Sequence, residues 1–142
     1  MDSIRQATPA DAGLIAEIIN ASVHDSRHER VPASWVREDM FNGDMENVLL
    51  SDSTGVVGFG SAIHLHDGKE GYINFISVQP EARGRGHGKV LLDYLLAELD
   101  SRPHDRITTY ITDINLAAVG FYLHYGFQPI QDVSWHIGYQ AG

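Results

Sequence analysis

Cysteine is absent from all 142 residues. Disulfides, thiolate nucleophiles and cysteine metal sites are thereby excluded, and a reducing cytoplasm suits the chain. Long apolar runs are absent as well: none approaches the roughly 20 residues that a membrane helix needs. The opening Met1-Asp2-Ser3-Ile4-Arg5 has no basic region followed by an apolar one, so no signal peptide is expected. Basic residues are scarce, 10 against 19 acidic ones, for a formal net charge of −9. A nucleic-acid partner requires a basic footprint, so neither nucleic acid nor membrane is an expected partner. An acidic surface favours cationic small molecules such as amines, although it serves solubility as readily. Repeats, low-complexity segments and linkers are also missing. What is present is a globular composition, 43% hydrophobic and 20% charged, in a length that suits one domain over residues 1–142.

The chain is organised around residues 71–100. An apolar, β-branched run, Gly71-Tyr72-Ile73-Asn74-Phe75-Ile76-Ser77-Val78, leads into the basic turn Arg83-Gly84-Arg85-Gly86-His87-Gly88-Lys89. An amphipathic helix over residues 90–99 follows, with Leu91, Leu92, Leu95, Leu96 and Leu99 on its core face. The N–H groups at a helix N-terminus are unpaired and lie at the positive end of the helix dipole. Glycines let a phosphate approach them closely. The stretch therefore predicts a strand, loop and helix that hold a phosphate-bearing cofactor. It is not a Walker A loop: the first glycine of that motif is replaced by Arg83, and Lys89 is followed by Val90 rather than Ser or Thr. It is not the dinucleotide fingerprint, because the third glycine is replaced by Lys89 and the turn does not lie in a first βα unit.

Ahead of this stretch, residues 3–8 alternate as a short edge strand that Pro9 ends. Asp11 is the expected cap of a helix bearing Leu14, Ile15, Ile18, Ile19 and Val23. Pro32 opens a loop or a second short helix through Trp35, Val36, Met40 and Phe41, and Asn42-Gly43-Asp44 is a turn. Residues 47–51 and 56–63 predict a β-hairpin, and residues 67–71 the next turn. After Pro103, residues 106–112 are strongly β-branched and should lie parallel to residues 72–78. Asn115 caps a helix over residues 116–125 that Gly126 ends, and residues 128–131 and 134–139 form a final antiparallel pair.

Two motifs in this order resemble one family. Residues 83–88 match the Arg/Gln-x-x-Gly-x-Gly/Ala turn of the GNAT acyl-CoA N-acetyltransferases, behind a Val-x-Pro-x-x-Arg segment at Val78, Pro80 and Arg83. Asn115-x-x-Ala118-x-x-Phe121-Tyr122-x-x-x-Gly126-Phe127, 27 residues after Gly88, is similar to that family's second segment. The resemblance covers residues 3–139. It implies an α/β GNAT fold: a mixed, mostly antiparallel sheet split by a splayed parallel strand pair, with helices on both faces. It also implies that Arg83, Gly84, Arg85, Gly86, His87, Gly88 and Lys89 hold the pyrophosphate of acetyl-CoA. Pantetheine would lie between the parting strands, beside a bulge at Ile76, Ser77 and Val78. The Val78 N–H would polarise the thioester carbonyl, Asn115 would touch the cofactor arm, and Tyr122 would protonate the departing thiolate.

The chain departs from the family pattern at Asn74, where many members have a carboxylate. Asparagine can hold a water but not act as the base. His64, His66, Glu29 or a water chain remain for that role. Glu29, Trp35 and His64 are the candidate acceptor-binding residues, with Trp35 as readily structural as stacked on an amine. Tyr122 could be an ordinary packed aromatic, and His87 and Arg85 solvated loop residues. The pairs His24/His28 and His64/His66 lack an evident third ligand, so no metal is expected. The implied function is acetyl transfer from acetyl-CoA to a primary amine, a small molecule first. The alternatives are a protein N-terminus or lysine as acceptor, or a CoA-binding regulatory module without turnover. A dimer is common in that family.

Overall fold

The computed structural model describes residues 2–22, 30–65, 69–101, 104, 106–112, 116–130 and 136–141. Among them lie strands β1 (Ser3–Gln6), β2 (Met45–Asp52), β3 (Gly55–Leu65), β4 (Glu70–Val78), β5 (Arg106–Thr112), β6 (Phe127–Ile130) and β7 (His136–Ala141), and helices α1 (Ala12–Ser22), α2 (Ala33–Asp39), α3 (His87–Leu99) and α4 (Leu116–His124). The strands form one sheet in the order β1-β2-β3-β4-β5-β7-β6. Its only parallel neighbours among the described residues are β4 and β5, joined through α3; the other pairs are antiparallel.

Side chains alternate across a strand, and that alternation sorts the helices onto two faces. Val48, Leu50, Ala62 and Ile73 pack with Leu91, Leu92, Leu95 and Leu99 of α3 and Tyr122 of α4. Leu49 and Phe59 point the other way, onto Ile15, Ile18 and Ile19 of α1 and Val36 of α2. Three glycines let α3 lie close to the sheet. A methyl group added at Gly58, Gly60 or Gly71 would come within 3.0, 3.1 and 3.1 Å of the leucine side chains of α3. Gly58 and Gly60 thus make room for a helix.

The helix α1 is entered differently from the sequence expectation. Asp11 is not its cap. Pro9–Asp11 form a single 3-10 turn capped at Thr8. The Asp11 carboxylate reaches back to accept the Thr8 N–H at 2.8 Å and the two Arg5 guanidinium nitrogens at 2.9 and 3.0 Å. Proline at the first helical position favours this start, because its missing N–H needs no partner there. The Arg5 hydrogen bonds lower the Asp11 pKa to about 2.

The feature that positions the site is one extra residue in β4. Ala62 of β3 pairs with Ile73, but Ser61 pairs with Phe75, so Asn74 is a bulge. The bulge lies at 74, not at the expected 76–78. It inverts the phase of the strand. Ile73 faces α3 before it; beyond it Ile76 faces α3, and Phe75 sits against Phe59 on the α1 side with ring centroids 6.3 Å apart. The parallel pairing of β4 with β5 runs from Glu70–Arg106 to Ile73–Thr109 and stops at the same place. From Thr108 to Thr112, β5 pairs with β7 on its other side. The two parallel strands therefore separate beside Asn74.

Candidate active site

The turn at the end of β4 is built from two local devices. Pro80–Ala82 form a 3-10 turn, and Gly84 and Gly86 adopt left-handed φ values of +80° and +84°. L side chains rarely reach that region, which accounts for glycine at both positions. The helix α3 begins at His87, three residues before the expected 90, so Gly88 and Lys89 belong to its first turn. Its first backbone bond runs from the Val90 N–H to the Gly86 carbonyl at 3.2 Å. The N–H groups of His87, Gly88 and Lys89 precede that ladder. A helix end of this kind can accept an anion. Arg85 and Lys89 are exposed, and Lys89 lies 3.9 Å from Asp93. The Arg83 Nε donates to the Val78 carbonyl at 3.2 Å, which folds that side chain over the strand end. Ile76 and Val78 are half-buried against the α3 core, and Ser77 is buried.

His87 departs from the expected solvated loop residue. Its ring is buried beneath the turn, with Nδ1 3.1 Å from the Ala82 carbonyl. Its Nε2 lies 3.7 Å from Asp2 and 3.9 Å from Asp52.

A second cluster marks where the strands part. The Thr109 hydroxyl donates to the Ile73 carbonyl at 2.9 Å, on the last paired rung. The buried Tyr122 phenol lies beside the Thr109 hydroxyl, and burial is the main cause that pushes its pKa up. Phe121 and Phe127 hold the Tyr122 ring edge-on, each with centroids at 5.2 Å. Phe121 also reaches α3: its ring lies 3.6 Å from where a Gly88 methyl would stand. One aromatic cluster thus joins the glycine turn to the phenol at the split. A phenol with a raised pKa stays protonated and can serve as a proton donor.

His64 does not join this cluster. It pairs with Gly71 near the start of β4 and is buried, with Nδ1 2.9 Å from His104 Nε2 and the rings stacked at 4.9 Å. That contact sets its ring against His104 of the α3–β5 connection. Trp35 lies on α2, the helix layer opposite α3, with 38% of its surface exposed. Glu29, Asn115, His24, His28 and His66 lie outside the described residues. Among the described residues no group of three His, Asp or Glu is placed to hold a metal ion, and no helix is long and apolar enough to cross a membrane. Sequence reasoning missed Thr109. Its only signal was a place among the β-branched residues of β5, and nothing but the strand register puts it opposite Ile73.

The model of the acetyltransferase (GNAT) family matches residues 15–127. The chain belongs to the GNAT acetyltransferase family. It is 34% identical over 106 residues to a mycothiol acetyltransferase of Thermobispora bispora, covering 66% of this chain and 36% of that protein. It is 31% identical over 93 residues to the mycothiol acetyltransferase of Beutenbergia cavernae, covering 66% and 31%. The chain thus spans about a third of the length of these curated relatives. An acetyltransferase of Thermus thermophilus has a similar fold, with TM-score 0.80 at 20% identity over 99% of this chain and 96% of that one. So does the PaiA N-acetyltransferase of Thermoplasma acidophilum, solved in complex with coenzyme A, with TM-score 0.79 at 16% identity over 99% and 98%.

Proposed function

We propose that this chain transfers an acetyl group from acetyl-CoA to a primary amine, a small molecule first, by direct attack of the amine. The observation that carries the reading is the junction at Asn74. There the parallel strands part, a buried phenol lies at the last rung, and a glycine turn opens a helix N-terminus at the strand end. The residues fit an acyl-CoA. His87, Gly88 and Lys89 offer backbone N–H groups to its pyrophosphate, glycines 84 and 86 shape the approach, and Arg83, Arg85 and Lys89 add charge. Asn115 contacts the cofactor arm. Ile76, Ser77 and Val78 flank the pantetheine, and the Val78 N–H faces the carbonyl oxygen.

Acetyl-CoA supplies an acetyl group already activated as a thioester. Tyr122 gives the proton that the departing sulfur needs. Asn74 holds a water that begins the relay taking the proton from the ammonium. Trp35 and Glu29 bound the acceptor side. Relatives named mycothiol acetyltransferases support a small molecule as acceptor. A cytoplasmic location and a homodimer complete the reading.

The test is thiol release from acetyl-CoA with a panel of amino acids, polyamines and amino sugars. Peptides with a free N-terminus or lysine form a second panel. Release with small amines supports the proposal; release with peptides alone favours the protein acetyltransferase. CoA binding without release in either panel favours a regulatory module. Gly86→Glu brings a carboxylate to the pyrophosphate and abolishes CoA binding, whereas Gly86→Asn, which tolerates left-handed φ, keeps the fold. Unchanged affinity in Gly86→Glu removes the turn from the site.

A further inference from the structure

We infer that His87 is a positioning residue that braces the pyrophosphate turn through its Nδ1–H bond to the Ala82 carbonyl. The inference rests on the acyl-CoA reading of that turn. A carbonyl oxygen can only accept, so the 3.1 Å contact fixes the tautomer: Nδ1 carries the proton. Ala82 is the last residue of the 3-10 turn, and His87 is the first residue of α3. The bond therefore closes residues 83–86 into a loop from inside the protein. Two residues of that loop, Gly84 and Gly86, hold φ near +80°, in a backbone with the widest conformational freedom of any residue type. A turn of this kind pays its ordering entropy when a ligand binds, unless the protein has already fixed it.

On the far side of the ring, Nε2 lies 3.7 and 3.9 Å from Asp2 and Asp52, beyond hydrogen-bond reach. Asp52 is itself fixed by the Thr54 N–H at 2.7 Å and the Thr54 hydroxyl at 2.6 Å. A buried position that needed only volume would be served by leucine, without the cost of enclosing an imidazole beside two carboxylates. Histidine there makes sense if its Nδ1–H holds the turn.

Three variants separate the atoms. His87→Leu keeps volume alone. His87→Asn places an amide nitrogen where Nδ1 was, and His87→Gln places one where Nε2 was. In the full chain, calorimetry with CoA as the probe should show affinity lowered about fivefold in His87→Leu, the worth of one buried hydrogen bond. His87→Asn should return to within about twofold of the parent, and His87→Gln should not. Amide hydrogen exchange should quicken in His87→Leu at Arg83 and Val90, whose N–H groups bond to the Pro80 and Gly86 carbonyls at the two ends of the turn, and not at Leu95–Leu99 of α3. Parent affinity in His87→Leu, or rescue by Gln equal to rescue by Asn, overturns the brace. If His87→Leu does not fold, the comparison of Asn with Gln decides alone. Absence of CoA binding in the parent sinks the acyl-CoA reading, and unchanged exchange at Arg83 and Val90 sinks the brace, so the two failures are distinct.

Discussion

Tyr122→Phe removes one oxygen from the point where β4 and β5 part, and the structure allows its two effects to be separated. The ring stays, so the edge-on contacts with Phe121 and Phe127 stay. The Thr109 hydroxyl loses the Tyr122 contact and keeps its bond to the Ile73 carbonyl. The stability loss is then that of one hydrogen bond with a partner still satisfied, about 1 kcal/mol. A general acid contributes about 10²- to 10⁴-fold to the rate, which is about 3–5 kcal/mol of transition-state stabilisation. Thiol release at saturating acetyl-CoA should therefore fall at least about a hundredfold, with the acetyl-CoA KM little changed and Tm within a few degrees of the parent. Thr109→Val is the companion. It leaves the Ile73 carbonyl and the phenol without their hydroxyl partner, so it should cost more stability, about 1–3 kcal/mol, and less turnover. Turnover of Tyr122→Phe within twofold of the parent, or equal losses in both variants, refutes the acid role. The pH dependence gives a second check. Burial raises the folded pKa of Tyr122 above the unfolded one. Its contribution to stability is thus fully present below about 10, the ordinary phenol value, and is lost as pH rises from there through the folded value. No alkaline loss of turnover below about pH 10 should be traceable to this phenol.

Three further outcomes follow from the packing and the charges. Gly60→Ala places a methyl 3.1 and 3.2 Å from the ends of Leu95 and Leu91; α3 must shift outward, at about 1–3 kcal/mol, and a Tm equal to the parent's would show that the helix is not seated by the glycines. Gly88→Ala meets Phe121 at an ordinary 3.6 Å and replaces a poor helix former, so Tm should hold or rise while the CoA Kd increases; a lowered Tm with unchanged Kd reverses the argument. Asp11→Asn removes a carboxylate whose folded pKa, about 2, lies below the unfolded value. Its stabilisation is therefore present above about pH 4 and disappears as pH falls through 2, so the gap in unfolding free energy between parent and variant, about 1 kcal/mol after solvent screening, should close over that range in urea titrations; a gap constant with pH refutes the Arg5–Asp11 pairing.

The reach of the sequence varied with the range of the interaction. The hairpin, the leucine face of α3 and the parallel relation of β4 to β5 depend on local pattern and short connections, and all are found. The two motifs that named the family lie in continuous segments. The position of the bulge does not follow from either, because it is a relation between β3 and β4. A phase break between Ile73 and Ile76, two core residues three apart, was its only trace. The true start of α3 was obscured by the glycines at its N-terminus, which carry no periodicity. His87 looked like a solvated residue because its partners, Asp2 and Asp52, come from remote parts of the chain.

These long-range relations converge on Asn74. An extra residue in a strand inside a sheet wastes pairing, and its cost has to be offset elsewhere. Here the last rung before it is reinforced by a side chain, Thr109 to the Ile73 carbonyl, and that side chain is in turn engaged by Tyr122 from a helix. The bulge thereby does two things at once. It turns Phe75 to the α1 side and Ile76 to the α3 side, which keeps both cores filled past the break. It also ends the parallel ladder at the rung where the phenol is anchored. A carboxylate at position 74 would combine the base and the bulge in one residue. With asparagine the bulge is retained without a titrating group.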